Sequence, residues 1–275
     1  MHEKGLIAKR LLLVFTVCLV CFAMIVFTKT EAPKPTTFLF NTTKNALVSL
    51  LTIDGPQSWW SQKKYINSAR KLAISFRKHS SLDMVLIVMD EYGAFRNADE
   101  KRLRDSGWMV HRLRNGVVPK LFGKLWMWRM TMYEQILYAD LDTLFIQSPS
   151  QLFRMRLSSQ NPAMALDTVR HHYFNTGVIV LRPSEDEYQR LVTHTSEAAE
   201  QDLLNNYFNG RIVQLDARFN SQVCNTKGCM NDQTLHSFQN RTVILHFTGN
   251  NKPWNIQNCV TQNIVQLCLY WKRFH

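Results

Sequence analysis

The chain has 275 residues, 45% hydrophobic, 11% aromatic and 20% charged, which is enough for a sizeable core and one main folded unit. With 10 glycines and 8 prolines it is neither collagen-like nor low-complexity, and a mean hydropathy of -0.21 with one long apolar run excludes a polytopic membrane protein. Lys and Arg total 33 against 21 Asp and Glu, a balance of +12 that suits nucleic acid, anionic lipid or a phosphorylated substrate without choosing among them.

The apolar run is Leu11 to Phe27, with Thr16 its one polar residue and no charge. As a helix it would span about 26 Å, just enough to cross a bilayer. A cleaved signal peptide usually has an apolar core of about 7–15 residues, and no small-residue cleavage site follows here, so an uncleaved signal anchor over 11–28 is expected. Lys9 and Arg10 abut the run, which leaves residues 1–10 in the cytosol. Lys29, Lys34 and Lys44 on the other side weaken that signal. The sequons Asn41-Thr42-Thr43 and Asn240-Arg241-Thr242 favour a lumenal body. Cys224, Cys229, Cys259 and Cys268 fit no common zinc spacing; an oxidising lumen would pair them, in an order the sequence leaves open, and four reduced buried thiols are the alternative. Residues 29–45, with Pro33 and Pro35, read as a stem, and 46–275 as the folded domain.

From there, short apolar runs alternate with amphipathic stretches, the pattern of a largely parallel sheet with crossover helices. Val48 to Thr52 and Met84 to Met89 read as buried strands. Between them, Trp60, Ile66, Ala69, Leu72, Ala73 and Phe76 recur at helical spacing. Asp99 to Ser106 reads as a helix ended by Gly107, Met109 to His111 as a strand and Lys124 to Tyr133 as a helix. Gln135 to Ala139 and Gly177 to Leu181 read as strands, Glu185 to Thr195 and Gln201 to Tyr207 as helices, and Thr242 to Phe247 as a late strand.

Chemistry is expected beyond the carboxyl ends of such strands. One strand runs directly into Asp140-Leu141-Asp142, and carboxylates after a buried run suit a hard cation, Mn²⁺ or Mg²⁺, that keeps positions open for substrate phosphates. A solvated strand-end turn is the alternative. The late strand delivers His246, followed by Gly249 and Lys252 ahead of Pro253-Trp254. Imidazole can complete a carboxylate metal site, and an ammonium can meet a phosphate. Phe174-Asn175-Thr176-Gly177 offers an amide to a sugar hydroxyl, or simply a turn. Glu197 to Asp202 places acids and an amide near a helix start, which capping alone would explain. The basic residues are scattered over helix faces, so nucleic acid is not an expected partner.

In this order, these pieces resemble glycosyltransferase family eight, the glycogenin-like retaining enzymes. The resemblance implies a GT-A fold, a Rossmann-like α/β/α sandwich binding a UDP-sugar and Mn²⁺. It puts Asp140, Asp142 and His246 on the metal, and Lys252 with Gly249 on the diphosphate. It also puts Leu51, Thr52 and Tyr65 around the uridine, and Lys124, Asn175 and Thr176 at the donor sugar. Glu200 or Gln201, with Lys124, would serve catalysis near the anomeric carbon during front-face attack by the acceptor. Two features depart from the glycogenin-like pattern: Glu197-Ala198-Ala199-Glu200-Gln201 replaces an Asp-Gly-Gly-Asp-Gln stretch, and glycogenin is soluble. The expectation is therefore a type II Golgi membrane hexosyltransferase acting on a glycan, glycoprotein or glycolipid acceptor. A lumenal glycoside hydrolase or a tethered, non-catalytic sugar-binding protein are the alternatives.

Overall fold

The computed structural model describes residues 44–53, 59–113, 120–195, 199–223, 241–261 and 264–274. The Leu11–Phe27 run, residues 29–43 of the expected stem, Asn41, Asn240, Cys224, Cys229 and Glu197 lie outside these residues, while Asn45, expected in the stem, opens the first strand. Among the described residues no helix is long and apolar enough to cross a membrane.

Strands β1 (Asn45–Ile53), β2 (Asp83–Asp90), β3 (Met109–Leu113), β4 (Gln135–Ala139), β6 (Ala163–Leu166), β7 (Phe174–Leu181) and β8 (Val213–Gln214) form one sheet in the order β3-β2-β1-β4-β7-β6-β8. β1 and β2 are nearly continuous apolar runs because parallel strands are buried on both faces. Helix α1 (Trp59–Arg77) covers one face with Ile66, Ala69, Leu72, Ala73 and Phe76 against Leu47, Leu51 and Leu86, and Leu103 of α2 (Asn97–Asp105) joins it there. The opposite face carries α3 (Glu185–Val192) and α4 (Glu200–Tyr207), whose Tyr188, Leu191, Leu203 and Leu204 pack on Val48, Ile136 and Tyr138. The result is the expected α/β/α sandwich. Each large apolar side chain fully buried in it stabilises by about 1.5–3 kcal/mol.

The sheet is mostly parallel, as expected, with one exception: β7 runs antiparallel to both β4 and β6. β7 also begins at Phe174 rather than Gly177, so the Phe-Asn-Thr-Gly motif belongs to the strand. Its pairing with β6 jumps from Ala165↔Asn175 to Met164↔Ile179, leaving residues 176–178 bulged.

The expected helix at Lys124 to Tyr133 is instead a run of 3-10 turns over Lys120–Arg129. Buried Phe122, Leu125 and Trp128 recur every third residue, the repeat that stacks side chains in a 3-10 helix and drifts off the face of an α-helix. Gly123 permits the close packing, since a Cβ there would meet Met89 Sδ at 1.9 Å.

A second sheet, β5-β10-β9, joins β5 (Thr143–Phe145), β9 (Ser221–Gln222) and β10 (Ile244–His246). Helices α5 (Ile256–Thr261) and α6 (Val265–Lys272) pack against it through Leu267 and Trp271, and a disulfide joins them between Cys259 and Cys268.

Candidate active site

The site opens where the main sheet splits. β1 pairs with β4 only as far as Val48↔Tyr138, while its other edge stays paired with β2 to Ile53. Past that point Ser49 donates to the Ala139 carbonyl at 2.6 Å, and a crevice begins between the carboxyl ends of β1 and β4. Asp140 and Asp142 follow β4 into it. The turn is fixed by Asp140 N donating to Gly177 O at 2.8 Å and Thr143 N to Asp140 O at 3.1 Å. β10 pairs antiparallel with β5 so that His246 faces Thr143, which brings the imidazole beside the carboxylates.

One side-chain oxygen or nitrogen from each of Asp140, Asp142 and His246 lies within 4.8 Å of the others. His246 Nε2 is 3.4 Å from Asp142 Oδ1 and 4.0 Å from Asp140 Oδ2. Its ring is oriented by a relay of amides. Asn175 Nδ2 donates to Asp167 Oδ2 at 3.3 Å, Asn220 Nδ2 donates to Asn175 Oδ1 at 2.9 Å, and Asn220 Oδ1, 2.8 Å away, is left to accept from His246 Nδ1. Nε2 then faces the two carboxylates, and Asp142 Oδ1 is buried with no hydrogen bond. Two carboxylates and a buried imidazole whose Nδ1 is held by Asn220, leaving Nε2 toward the carboxylates, form a donor set that fits a divalent cation.

Gly177 is required by this packing: a Cβ there would lie 2.0 Å from His246 Cε1. Because His246 is buried and pinned by Asn220, Gly177→Ala is expected to expel the imidazole and weaken any divalent-cation binding, measured by calorimetric titration with Mn²⁺. An unchanged titration would remove His246 from the site.

Lys124, from the 3-10 segment, is buried beneath Asp140. Its Nζ contacts Glu200 Oε2 at 2.9 Å, Thr176 O at 2.9 Å and Asp140 Oδ1 at 3.4 Å, and lies 4.7 Å from the centre of the Tyr138 ring. Burial lowers its pKa, but Asp140 and Glu200 outweigh burial and raise it, so it stays charged. Burial raises the Glu200 pKa, and Lys124 only partly offsets this. Tyr138 donates to Asp140 Oδ1 at 2.6 Å, and its own pKa is driven well up by burial and then by Asp140. Asp142 is held well below the carboxylate range, burial being outweighed by His246 and Lys252.

Lys252 bonds Asp142 Oδ2 and donates to Phe247 O at 3.0 Å. It stands between two compartments. One, about 390 Å³, is lined by Leu51, Thr52, Tyr65, Asp140, Asp142 and Trp254, with Tyr65 meeting Trp254 edge-on at 5.3 Å. The other, about 370 Å³, is lined by Asn175, Thr176, Glu200, Gln201, His246 and Gly249. Lys124, Asp140, Asp142, Glu200 and Lys252 border both. Gly249 has φ +56, which suits the tight turn after β10.

Every residue that the resemblance assigns to the metal, diphosphate, uridine, donor sugar or catalysis lines one of these spaces. Within the chain, the three Lys124 protons face Glu200, Asp140 and Thr176 O. Asn175 spends its oxygen on Gly177 N at 3.0 Å and on Asn220, leaving one N–H. Sequence reasoning missed Tyr138, Asp167 and Asn220. Asp167 accepts from Val169 N, Arg170 N and Gln201 Nε2 at 2.8, 2.9 and 3.2 Å, and these bonds, with the one from Asn175, overcome burial to lower its pKa. Tyr138 was recoverable, being two residues before Asp140 on the same strand face. Asp167 and Asn220 carried no local signal.

A mostly parallel α/β sheet with an Asp-x-Asp pair after β4, met by a histidine from the second sheet, has the architecture of a GT-A glycosyltransferase. The family model described as Glycosyl transferase family 8 matches residues 64–257, and the chain belongs to that family. Rabbit (Oryctolagus cuniculus) Glycogenin-1 is 27% identical over 230 residues, 78% of this chain and 66% of that protein. Caenorhabditis elegans Glycogenin-1 is 31% identical over 169 residues, 58% and 37% of the two chains. UDP-glucuronate:xylan alpha-glucuronosyltransferase 1 of Arabidopsis thaliana is 27% identical over 159 residues, 52% and 23%. The chain thus spans less than two thirds of each of these relatives. Among solved structures, GlyE of Streptococcus pneumoniae TIGR4 superposes with a TM-score of 0.60 at 21% identity, over 84% of this chain and 60% of its own. The galactosyltransferase LgtC gives 0.55 at 16%, over 82% and 94%. Both show the shared fold.

Proposed function

We propose that the protein transfers a hexosyl group from a UDP-sugar to a glycan or glycoconjugate acceptor, with Mn²⁺ as cofactor and retention at the anomeric carbon. The observation that carries this is His246 Nε2 facing Asp140 and Asp142 at the junction of two compartments, one walled by aromatic rings and one by amides and carboxylates. Asp140, Asp142 and His246 would hold the cation, which would neutralise the diphosphate as the glycosidic bond to UDP breaks. Leu51, Thr52 and Tyr65 line the space suited to the nucleoside, with Trp254 closing it. Gln201, tied to Asp167, and Glu200, tied to Lys124, border the reacting carbon's compartment. Retention is carried by the resemblance to glycogenin-like enzymes. Purified full chain given a panel of UDP-sugars with Mn²⁺ should release UDP, and release should stop on chelation. Release that persists without any divalent ion would overturn the metal-assisted reading.

The same proposal places the enzyme in the Golgi membrane as a type II protein, on the strength of the Leu11–Phe27 run and the flanking Lys9 and Arg10. Asn41 should then carry a glycan removable by an endoglycosidase, and the C-terminus should resist protease added to intact microsomes. A bare Asn41 with a digested C-terminus reverses the orientation.

A further inference from the structure

The basic residues, scattered over the chain as a whole, form one ordered file on α1. Lys63-Lys64, Arg70-Lys71 and Arg77-Lys78 recur every seven residues, with Lys78 just past the helix end. Seven residues are about two turns, or about 10 Å, with a drift of only about 20°, so the pairs stand as rungs along one face. No Asp or Glu occurs between Asp54 and Asp83, or after Asp232.

The C-terminal segment adds to this face. Lys71 donates to the carbonyls of Lys272 and Phe274 and lies 4.7 Å from the centre of the Trp271 ring, while Lys78 lies 4.5 Å from the centre of the Phe274 ring. Exposed Lys272 and Arg273 are thereby held beside the file. Arg77 donates to Leu82 O at 2.7 Å. All these partners are neutral. The acids of the neighbouring α2 are taken by other cations: Asp99 by Arg96 and Arg102, Glu100 by Arg104 and Arg112, and Asp105 by Lys101. At the middle rung a cavity of about 280 Å³ is lined by Asn67, Arg70, Lys71, Ile74 and Phe274, and the buried Nε of Arg70 has no hydrogen-bond partner among the described residues. Burial and then the Arg70 charge lower the Lys71 pKa, as crowded cations without an anion do.

We infer that this face binds an acidic glycan, a linear chain whose carboxylates or sulfates recur about once per disaccharide. The anion follows from the charge and from the orphaned Arg70 donor, since a guanidinium offers paired N–H groups to a carboxylate or sulfate. The spacing selects the glycan. Rungs about 10 Å apart match the span of a disaccharide, whereas phosphates along a nucleic-acid strand recur every ~3.4 Å. A bilayer presents its headgroups in two dimensions and gives no reason for a single file of cations. Asn67 beside Arg70 suits a glycan's hydroxyls as well as its anions. The file begins next to Tyr65 of the nucleoside space and leads away from it, so a chain held here lies outside both donor compartments.

Binding is measured without UDP-sugar, so its failure would leave the proposed transfer standing. Full chain in mild detergent is titrated calorimetrically with the di-, tetra- and hexasaccharides of chondroitin sulfate, with uncharged chitohexaose, and with a single-stranded oligonucleotide of the hexasaccharide's charge. The hexasaccharide, which spans all the rungs, should bind at least about tenfold more tightly than the disaccharide or the oligonucleotide, weakening as salt is raised, and chitohexaose should not bind. A triple variant, Arg70→Gln with Lys78→Gln and Lys272→Gln, should lose about tenfold or more of that affinity. Lys101→Gln with Arg154→Gln and Arg156→Gln removes the same charge elsewhere and should lose less than about twofold. Equal losses in the two triple variants would reduce the effect to net charge, and an oligonucleotide that binds equally well would make the face an unselective polyanion site. A file variant that keeps its glycan affinity but sediments less with phosphatidylcholine–phosphatidylserine vesicles would assign the face to a membrane. Each of these outcomes overturns the glycan, as does an affinity of the unaltered chain that does not grow from disaccharide to hexasaccharide.

Discussion

Asp142→Asn is expected to abolish Mn²⁺-dependent UDP binding and to lower turnover by at least about a thousandfold, while the circular dichroism spectrum stays that of the folded chain. The substitution keeps the planar shape and removes the charge from a group whose Oδ1 is buried, unbonded and 3.4 Å from His246 Nε2. An amide offers a metal one weakly basic oxygen, and an N–H turned inward would repel the cation. Metal stabilisation of a departing phosphate is worth several kcal/mol, and each 1.36 kcal/mol or so is tenfold in rate, so a loss of that size follows. Lys252 would lose its partner but is partly exposed and can turn to water, which is why the fold should survive. The sign of the pH effect also follows. A carboxyl held below its ordinary pKa contributes its ion-pair stability above pH about 4 and loses it only as pH falls through the depressed value. Any activity lost between about pH 5 and 7 must therefore come from groups other than Asp142. Metal-dependent UDP binding at normal affinity in the asparagine variant would remove Asp142 from the metal site.

The parts of the site that were legible in sequence share one property: they sit directly on regular elements. Asp140 and Asp142 follow a buried strand and His246 ends one, so their strand-edge position was readable from hydrophobic runs alone. Lys252 and Trp254 lie a fixed few residues beyond. What was hidden depends on contacts between distant segments. Asn220 orients His246 across 26 positions and Asn175 across 45, and no local pattern marks an asparagine for that role. The three-residue repeat of Phe122, Leu125 and Trp128 was present in the sequence, but the surrounding apolar residues also satisfy a helical period, and only packing on Met89 and the sheet decides between them. The bulge in β7 was invisible for the same reason. It exists because Thr176 O serves Lys124 and Gly177 O serves Asp140 N, two partners supplied by other strands and turns.

Lys252 should prove nearly as consequential as the metal ligands, but through the rate rather than through binding. Its ammonium reaches Asp142 and the Phe247 carbonyl from the turn after β10, at the junction of the two compartments. In the proposed reaction the diphosphate already carries charge in the bound donor, and gains more as UDP leaves, so a cation here is worth more in the transition state than in the ground state. Lys252→Ala is therefore expected to lower kcat by roughly 10²–10³ and to raise the donor KM by less. Lys252→Met retains most of the stem beside Trp254 and should be almost as damaging, because the step requires charge rather than volume. Both variants release Asp142 from its ion pair, so Mn²⁺ affinity, measured separately by calorimetry, should be maintained or increased. That pairing of a slower reaction with undiminished metal binding distinguishes a lost diphosphate contact from a collapsed metal site. Normal turnover by the methionine variant would make Lys252 a mere partner for Asp142, and the turn from His246 to Trp254 would lose its diphosphate role.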